Sequence, residues 1–296
     1  MRIPTKLIYR HACLLTWIMT SLACGYAQSL PAGVKAFRDL EYVPAGHERQ
    51  KLDLYTPEGE GPYPLVIWIH GGAFRMGSKA PCPALWLVEE GYAVAGINYR
   101  LSQHAIFPAQ IEDCKAAVRW LRAHAAEYHL DPEHFGAWGA SAGGHLAAML
   151  GVTGGVVEFE KGENLDQSSR VQAVCDWFGP TDFTLMNQFP GDMDHDAPDS
   201  PEAQLIGGPV QENKEKAQRA NPVTYVTADD PPFLIMHGDK DPLVPFNQSE
   251  LLDAALRKAG VPVTFHVVQG AGHGFQDPKL DRLVLEFFNR HLKKKL

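Results

Sequence analysis

Three short segments of the chain carry side chains that could perform acyl transfer. AWGASAGG contains a single serine, Ser141, and GAGHGF contains His273. Between them lies HGDKDPLVP, which contains Asp239 and Asp241. Serine can act as a nucleophile when a histidine removes its proton and a carboxylate orients that histidine. The three residue types and their order along the chain therefore predict nucleophilic catalysis by Ser141.

The segment around Ser141 predicts a sharp turn from a strand into a helix. The apolar run HFGAW precedes the serine, and the small-residue run HLAAML follows it. Gly139 and Gly143 remove side-chain bulk on either side of the serine, as a tight bend requires. An ordinary strand-to-helix turn would satisfy the same pattern, because composition alone produces glycine-x-serine-x-glycine in about one such chain in ten.

The candidate base and the acid that orients it are identified by their positions directly after predicted strands. Among thirteen histidines, His273 alone stands in a glycine-flanked loop after a late apolar run, VTFHVV. Asp241 is the predicted acid, because Pro242 favours an extended conformation before it, whereas Asp239 is placed to cap the turn. His145 is expected to pack beneath the serine turn. Four further histidines are expected at the surface, namely His47, His129, His134 and His195.

A glycine-rich segment, HGGAF, follows the apolar run LVIWI and predicts donors for an oxyanion. Glycines there let backbone N–H groups point into a site without obstruction by side chains. Gly72 and Ala73 are the predicted donors, together with Ala142, which follows the predicted nucleophile. A simple glycine turn is the alternative interpretation of this segment.

The first 27 residues have the layout of a secretory signal peptide. Lys6 and Arg10 precede an apolar segment, residues 12–24, and a small-x-small pattern ends at Ala27. The apolar segment is too short to predict a permanent membrane span. Export to the periplasm or the exterior is therefore expected, and lipidation at Cys24 is the minor alternative.

Charge and cysteine content exclude several classes of protein. Without residues 1–27, 24 basic and 35 acidic side chains remain, a net charge of −11 that argues against nucleic acid as a partner. Three of the five cysteines also remain, and no Cys-x-x-Cys occurs, so a thiolate metal site is not predicted. Cys114 and Cys175 are expected to be buried, whereas Cys82 could be exposed.

Short apolar runs alternate with helical patterns along most of the chain. This alternation predicts one α/β domain over residues 28–296, doubly wound around a mostly parallel sheet with helices on both faces. Two earlier segments, 37–42 and 51–55, are expected to be antiparallel edge strands. The predicted parallel strands are residues 65–70, 92–97, 135–138, 171–178, 233–237 and 263–268.

One segment, residues 181–227, interrupts that alternation and is expected to pass over the carboxyl edge of the sheet, where ligands bind. Its acidic stretch, Asp192–Asp199, invites a calcium-loop interpretation. An EF-hand needs glycine at the sixth position and glutamate at the twelfth, which here are Ala197 and Ala203. A solvated acidic loop is therefore favoured, and we predict neither a metal nor a nucleotide.

The four motifs HGGAF, GASAGG, HGDKDPLVP and GAGHGF resemble those of the α/β-hydrolase superfamily. The likeness is closest to hormone-sensitive-lipase-like esterases and to bacterial feruloyl- and acetyl-esterase-like enzymes, and it runs from about Leu52 to Leu292. It implies a secreted serine esterase that needs no cofactor and acts on a small-molecule or polysaccharide ester. It also implies substrate contacts at Phe74 and at Trp177, which would face the acyl pocket.

One residue departs from the family pattern, and two other functions stay open. Ala73 stands where many relatives have a third glycine, which leaves less room for bulky alcohol groups. A prolyl-oligopeptidase-like peptidase shares two of the motifs, but its usual gating domain has no room in this chain. A catalytically silent hydrolase fold used for binding is the alternative from another class.

Overall fold

Eight strands form one sheet in the computed structural model, which describes residues 30–189 and 191–293. The predicted signal peptide lies outside the described residues. The strands are β1 Val34–Glu41, β2 Lys51–Pro57, β3 Tyr63–Ile69, β4 Ala93–Ile97, β5 Leu130–Ala140, β6 Ala173–Trp177, β7 Phe233–Gly238 and β8 Val263–Val268. The sheet order is β1-β2-β4-β3-β5-β6-β7-β8.

The sheet is mostly parallel, as the apolar runs predict. Strands β3 to β8 pair in parallel, and β2 is antiparallel to both of its neighbours, β1 and β4. All six predicted parallel strands are present. The expectation of two edge strands is wrong for residues 51–55, because β2 lies between β1 and β4 and has hydrogen-bonding partners on both sides.

Helices cover both faces of this sheet, which confirms the doubly wound α/β fold as a single domain. Along β3, Leu65, Ile67 and Ile69 pack on one face, while Val66 and Trp68 pack on the other. The helices are α1 Ala109–Ala123, α2 Ala142–Val152, α3 Pro201–Ile206, α4 Lys214–Ala220, α5 Asn247–Ala259 and α6 Pro278–Leu292. The first face carries α1, α2 and α5, and the second carries α6 and a 3-10 helix over Pro83–Val88.

Short helices make up much of the segment 181–227, in which strands and helices do not alternate. It contains α3, α4 and three 3-10 helices, and its described residues include no strand. Among the described residues of the whole chain, no helix combines the length and apolar character needed to cross a membrane. Cys82, which the sequence suggests as exposed, is buried like Cys114 and Cys175.

Candidate active site

Ser141 stands at the sharp turn between β5 and α2. Its backbone has φ 57° and ψ −123°, a conformation that side-chain-bearing residues rarely adopt. A Cβ atom at Gly139 would lie 2.0 Å from the carbonyl oxygen of Gly143, and one at Gly143 would lie 2.0 Å from that of Ile69. Both glycines are therefore required for the close approach of backbone that holds the serine in this strained position.

His273 connects Ser141 to Asp241 through two hydrogen bonds. The Ser141 hydroxyl donates to His273 Nε2 over 3.0 Å, and His273 Nδ1 donates to Asp241 Oδ2 over 2.7 Å. The three side chains come from loops after β5, β7 and β8, which end at the same edge of the sheet. This arrangement can move a proton from the hydroxyl to the imidazole while the carboxylate stabilises the resulting cation.

The carboxylate of Asp241 is held by four donors. Its Oδ1 accepts the backbone N–H groups of Leu243 (2.8 Å) and Val244 (3.0 Å), and its Oδ2 accepts His237 Nε2 (3.2 Å) as well as His273. Burial opposes ionisation, but the hydrogen bonds from His237 and His273 outweigh it and hold the pKa of Asp241 well below its usual range. The acid therefore stays ionised and oriented.

Asp239 lies apart from this network. Its carboxylate accepts the backbone N–H of Gly270, at the start of the turn that carries His273. The structure thus brings Asp241, rather than Asp239, into contact with the imidazole, as expected from the proline that follows Asp241. The functional difference between the two aspartates stays a prediction.

The predicted oxyanion donors Gly72, Ala73 and Ala142 line the same cavity as Ser141. Their backbone N–H groups have no hydrogen-bond acceptor among the described residues. Gly72 has φ +115°, and a Cβ atom there would lie 2.3 Å from the carbonyl oxygen of Met76. Only glycine suits that position, so the loop can present its N–H groups to the cavity.

The cavity next to Ser141 has a volume of about 280 Å³ and a mostly apolar wall. Phe74 belongs to that wall, as the resemblance implies. Met193 and His195 also line it, so the acidic stretch Asp192–Asp199 contributes to the site. His195 is buried, and the expectation that it lies at the surface is wrong. The remaining side chains of the wall are Met76, Pro180, Pro201, Glu202, Leu243, Val244 and His273.

Trp177 does not line this cavity, contrary to the role implied by resemblance. Its ring packs against Trp138 (centroids 5.0 Å apart) and Phe275 (4.8 Å) in the aromatic layer on the α6 face of the sheet. Its side chain therefore supports the packing of β6 against β5. Its backbone oxygen accepts the N–H of Ser141 over 2.8 Å, which is its contribution to the serine turn.

The sequence model of the BD-FAE family matches residues 52–256 of this chain. The chain belongs to the BD-FAE family. The matched region contains Ser141, Asp241 and the oxyanion loop, and it ends before His273. The family and the eight-stranded sheet agree with the α/β-hydrolase resemblance.

Several named relatives of this BD-FAE chain are esterases. Esterase LipQ of Mycobacterium tuberculosis is 33% identical over 252 residues, which cover 80% of this chain and 56% of LipQ. The chain thus spans about half the length of that relative. A solved truncated form of a carbohydrate esterase from gut microbiota is 37% identical, with a TM-score of 0.81 over 88% of this chain and 97% of its own. A bifunctional GH43-CE protein of Bacteroides eggerthii is 38% identical, with a TM-score of 0.80 over 86% of this chain and 38% of its own.

A buried polar cluster braces the oxyanion loop of the BD-FAE chain, and the sequence motifs do not predict it. His70 Nδ1 donates to the carbonyl oxygen of Gly71 (2.7 Å), and His70 Nε2 accepts from Arg49 (3.0 Å). Arg49 also donates to the carbonyl oxygens of Gly77 (3.0 Å) and Tyr99 (2.8 Å). Burial lowers the pKa of His70 to about 4, so this ring stays neutral and can accept from Arg49.

Asp176 is a second residue that sequence reasoning misses, although a lone carboxylate inside an apolar strand could have indicated it. Its Oδ1 accepts the backbone N–H of Gly179 over 2.9 Å, and its Oδ2 has no partner among the described residues. Burial raises the pKa of Asp176 to about 7, and the Gly179 hydrogen bond only partly opposes this. Folding therefore favours the protonated acid at this position.

Asp176→Asn is expected to stabilise the protein more at pH 8 than at pH 5. The unfolded carboxyl ionises near its ordinary pKa of 3.8, whereas the folded one retains its proton up to about 7. Stability therefore falls as pH rises through this window, and the neutral asparagine removes that loss. The advantage of the variant should grow by on the order of 2 kcal/mol from pH 5 to pH 8 in urea unfolding. Exposed Asp166→Asn is the control, and an equal advantage at both pH values would contradict the shift.

A group of possible metal ligands lies outside the cavity. Among the described residues, His47, Glu48 and His104 place one ligand atom each within 4.8 Å of one another. The Nδ1 atoms of the two histidines accept the backbone N–H groups of Arg49 (3.2 Å) and Leu101 (3.1 Å). A neutral imidazole in that state carries its proton on Nε2, where a metal would have to bind. We assign no metal to this group.

Proposed function

We propose that this chain is a serine carboxylic-ester hydrolase that acts through an acyl-enzyme. One observation carries the proposal. The hydrogen-bonded chain of Ser141, His273 and Asp241 opens into the same cavity as three backbone N–H groups without acceptors among the described residues. Nucleophile, base, orienting acid and oxyanion donors are the complete set that acyl transfer by serine requires. Membership of the BD-FAE family and the named esterase relatives support the same chemistry.

In the proposed mechanism, Ser141 Oγ attacks the ester carbonyl while its proton passes to His273 Nε2. The oxyanion of the tetrahedral intermediate accepts the N–H groups of Gly72, Ala73 and Ala142. His273 returns its proton to the leaving alcohol, and the acyl group remains on the serine. Water then attacks the acyl-enzyme by the same proton route, releasing the carboxylic acid and the free serine.

We propose acetyl or feruloyl esters of plant polysaccharide as the substrate class and export as the route to it. The similarity to the solved carbohydrate esterase from gut microbiota supports this class. The apolar wall of the cavity suits an acetyl or aryl group, and the cavity volume of about 280 Å³ favours short acyl chains. The signal-peptide pattern of residues 1–27 supports delivery to the periplasm or the exterior.

A panel of chromogenic and natural esters tests this function. We expect hydrolysis of p-nitrophenyl acetate, methyl ferulate or acetylated xylan, with rates that fall from the acetate to the laurate ester of p-nitrophenol. Proline p-nitroanilide should not be cleaved, because the relatives that support the proposal are esterases. Efficient release of p-nitroaniline would favour that peptidase, and no turnover of any ester would favour a binding role.

A further inference from the structure

Two buried polar side chains in the cavity wall take no part in the proposed mechanism. His195 is 2% exposed and Glu202 is 3% exposed, yet both line the cavity that contains Ser141. His195 Nδ1 lies 3.1 Å from Glu202 Oε2. Most other side chains of the wall are apolar, so this pair forms a separate polar group within a mostly apolar wall.

The second ring nitrogen of the pair is not satisfied by the protein. His195 Nε2 is buried and has no hydrogen-bond partner among the described residues. A buried polar atom left without a partner costs about 1–3 kcal/mol, which is why such atoms are rare in folded proteins. His195 lines the substrate cavity, so a small rotation of its ring would bring Nε2 to a partner supplied by the substrate.

Hydrogen bonds fix the backbone around the pair before any substrate binds. Asn187 Oδ1 accepts the backbone N–H of His195 over 2.8 Å, and Asn187 Nδ2 donates to Asp194 Oδ1 over 2.6 Å. Ser200 Oγ accepts the N–H of Ala203 over 3.0 Å, which caps the helix that carries Glu202. The backbone that carries each member of the pair is therefore held in place, so that only the ring has to turn to meet a substrate group.

We propose that His195 Nε2 forms a hydrogen bond with a hydroxyl group of the ester substrate, with Glu202 as the positioning residue that orients the ring. This inference rests on the proposed esterase function and names a residue that selects among its substrates.

A hydroxyl group is the partner that fits both protonation states of the imidazole. When Nδ1 donates to Glu202, a neutral ring presents a lone pair at Nε2, to which a hydroxyl donates, and a cationic ring presents an N–H, from which a hydroxyl accepts. A plain alkyl chain would leave Nε2 unpaired, and a carboxylate would be repelled by Glu202. The hydroxyl can belong to a sugar alcohol or to a phenolic acyl group.

The test compares substrates within one enzyme preparation, so that a loss of folded protein cancels. We would measure kcat/KM for p-nitrophenyl acetate, which has no hydroxyl, and for two hydroxylated esters, an acetylated xylo-oligosaccharide and methyl ferulate. His195→Leu should lower the ratio of a hydroxylated ester to p-nitrophenyl acetate by about tenfold, the value of one hydrogen bond. Glu202→Gln should lower the same ratio by a smaller factor, because the amide no longer sets which nitrogen carries the proton.

Two further variants control for changes in cavity shape. Met193→Leu alters the same wall without removing a polar atom, so it should lower the ratio by a smaller factor than His195→Leu does. His195→Gln keeps a hydrogen-bonding group near Nε2, and it should restore part of the ratio that His195→Leu loses.

Each outcome decides the inference separately from the esterase function. A selective loss on the xylo-oligosaccharide places the hydroxyl on the alcohol, and a selective loss on methyl ferulate places it on the acyl group. Equal ratios in the parent and His195→Leu overturn the inference while leaving the esterase intact. A parent protein that hydrolyses p-nitrophenyl acetate but neither hydroxylated ester also overturns it. Inactivity of the parent on all three esters contradicts the esterase itself.

Discussion

Ser141→Ala lowers kcat on an aryl ester by roughly a million-fold if the hydrogen-bonded chain acts as a catalytic unit. The substitution removes the only hydroxyl that donates to His273 Nε2 among the described residues. His273→Ala should cost about as much, because an unactivated serine hydroxyl is a weak nucleophile. The measurement is single-substrate kinetics on p-nitrophenyl acetate, with folding checked by thermal unfolding.

The double variant and a surface serine sharpen this prediction. Ser141→Ala combined with His273→Ala should be no slower than either single variant, since members of one catalytic unit are not additive. Exposed Ser78→Ala should retain parental activity. Turnover near the parental rate in a folded Ser141→Ala protein would remove the esterase proposal and favour the binding role.

Asp241→Asn is expected to lower kcat by on the order of ten-thousand-fold. The asparagine oxygen can still accept the N–H groups of Leu243 and Val244, so the loop should keep its shape. In the parent, His273 Nδ1 donates to the Asp241 carboxylate. In the variant, the side-chain N–H₂ of the asparagine would face Nδ1 in place of that carboxylate oxygen. The ring would take the tautomer with its proton on Nε2, where it cannot remove the proton of Ser141.

The matched control is Asp239→Asn, two residues away. Asp239 accepts the backbone N–H of Gly270 and does not contact His273. Its substitution should change the free energy of unfolding by about 1 kcal/mol and leave kcat close to the parental value. If the Asp239 variant loses activity and the Asp241 variant retains it, the assignment of the acid is wrong.

Most strands and the approximate site could be predicted because the relevant physics is local. Continuous apolar runs are typical of strands covered on both faces, and six of them became β3 to β8. Polar motifs that directly follow such strands must lie at one edge of a parallel sheet. Ser141, Asp241 and His273 therefore converge, although they are 100 and 32 residues apart along the chain.

Three expectations were wrong where the answer depended on contacts between distant segments. The resemblance places Trp177 at the pocket, but the packing of its ring against Trp138 and Phe275 turns it to the α6 face. Residues 51–55 were expected at an edge, but pairing with β4 places them inside the sheet. His195 lies in a charged, proline-containing segment that predicts exposure, yet its partner Glu202 holds it in the cavity wall.

The sequence by itself determined the order of strands and helices, the serine turn and the identity of the reactive side chains. Short-range sterics and hydrophobic periodicity act within a few residues, so both can be recognised from the sequence alone. The tertiary structure decided which face receives Trp177, how His195 meets Glu202 and which polar atom of the cavity wall lacks a partner. Those features depend on distances between residues far apart in sequence, and the folded chain sets such distances through packing and long-range hydrogen bonds.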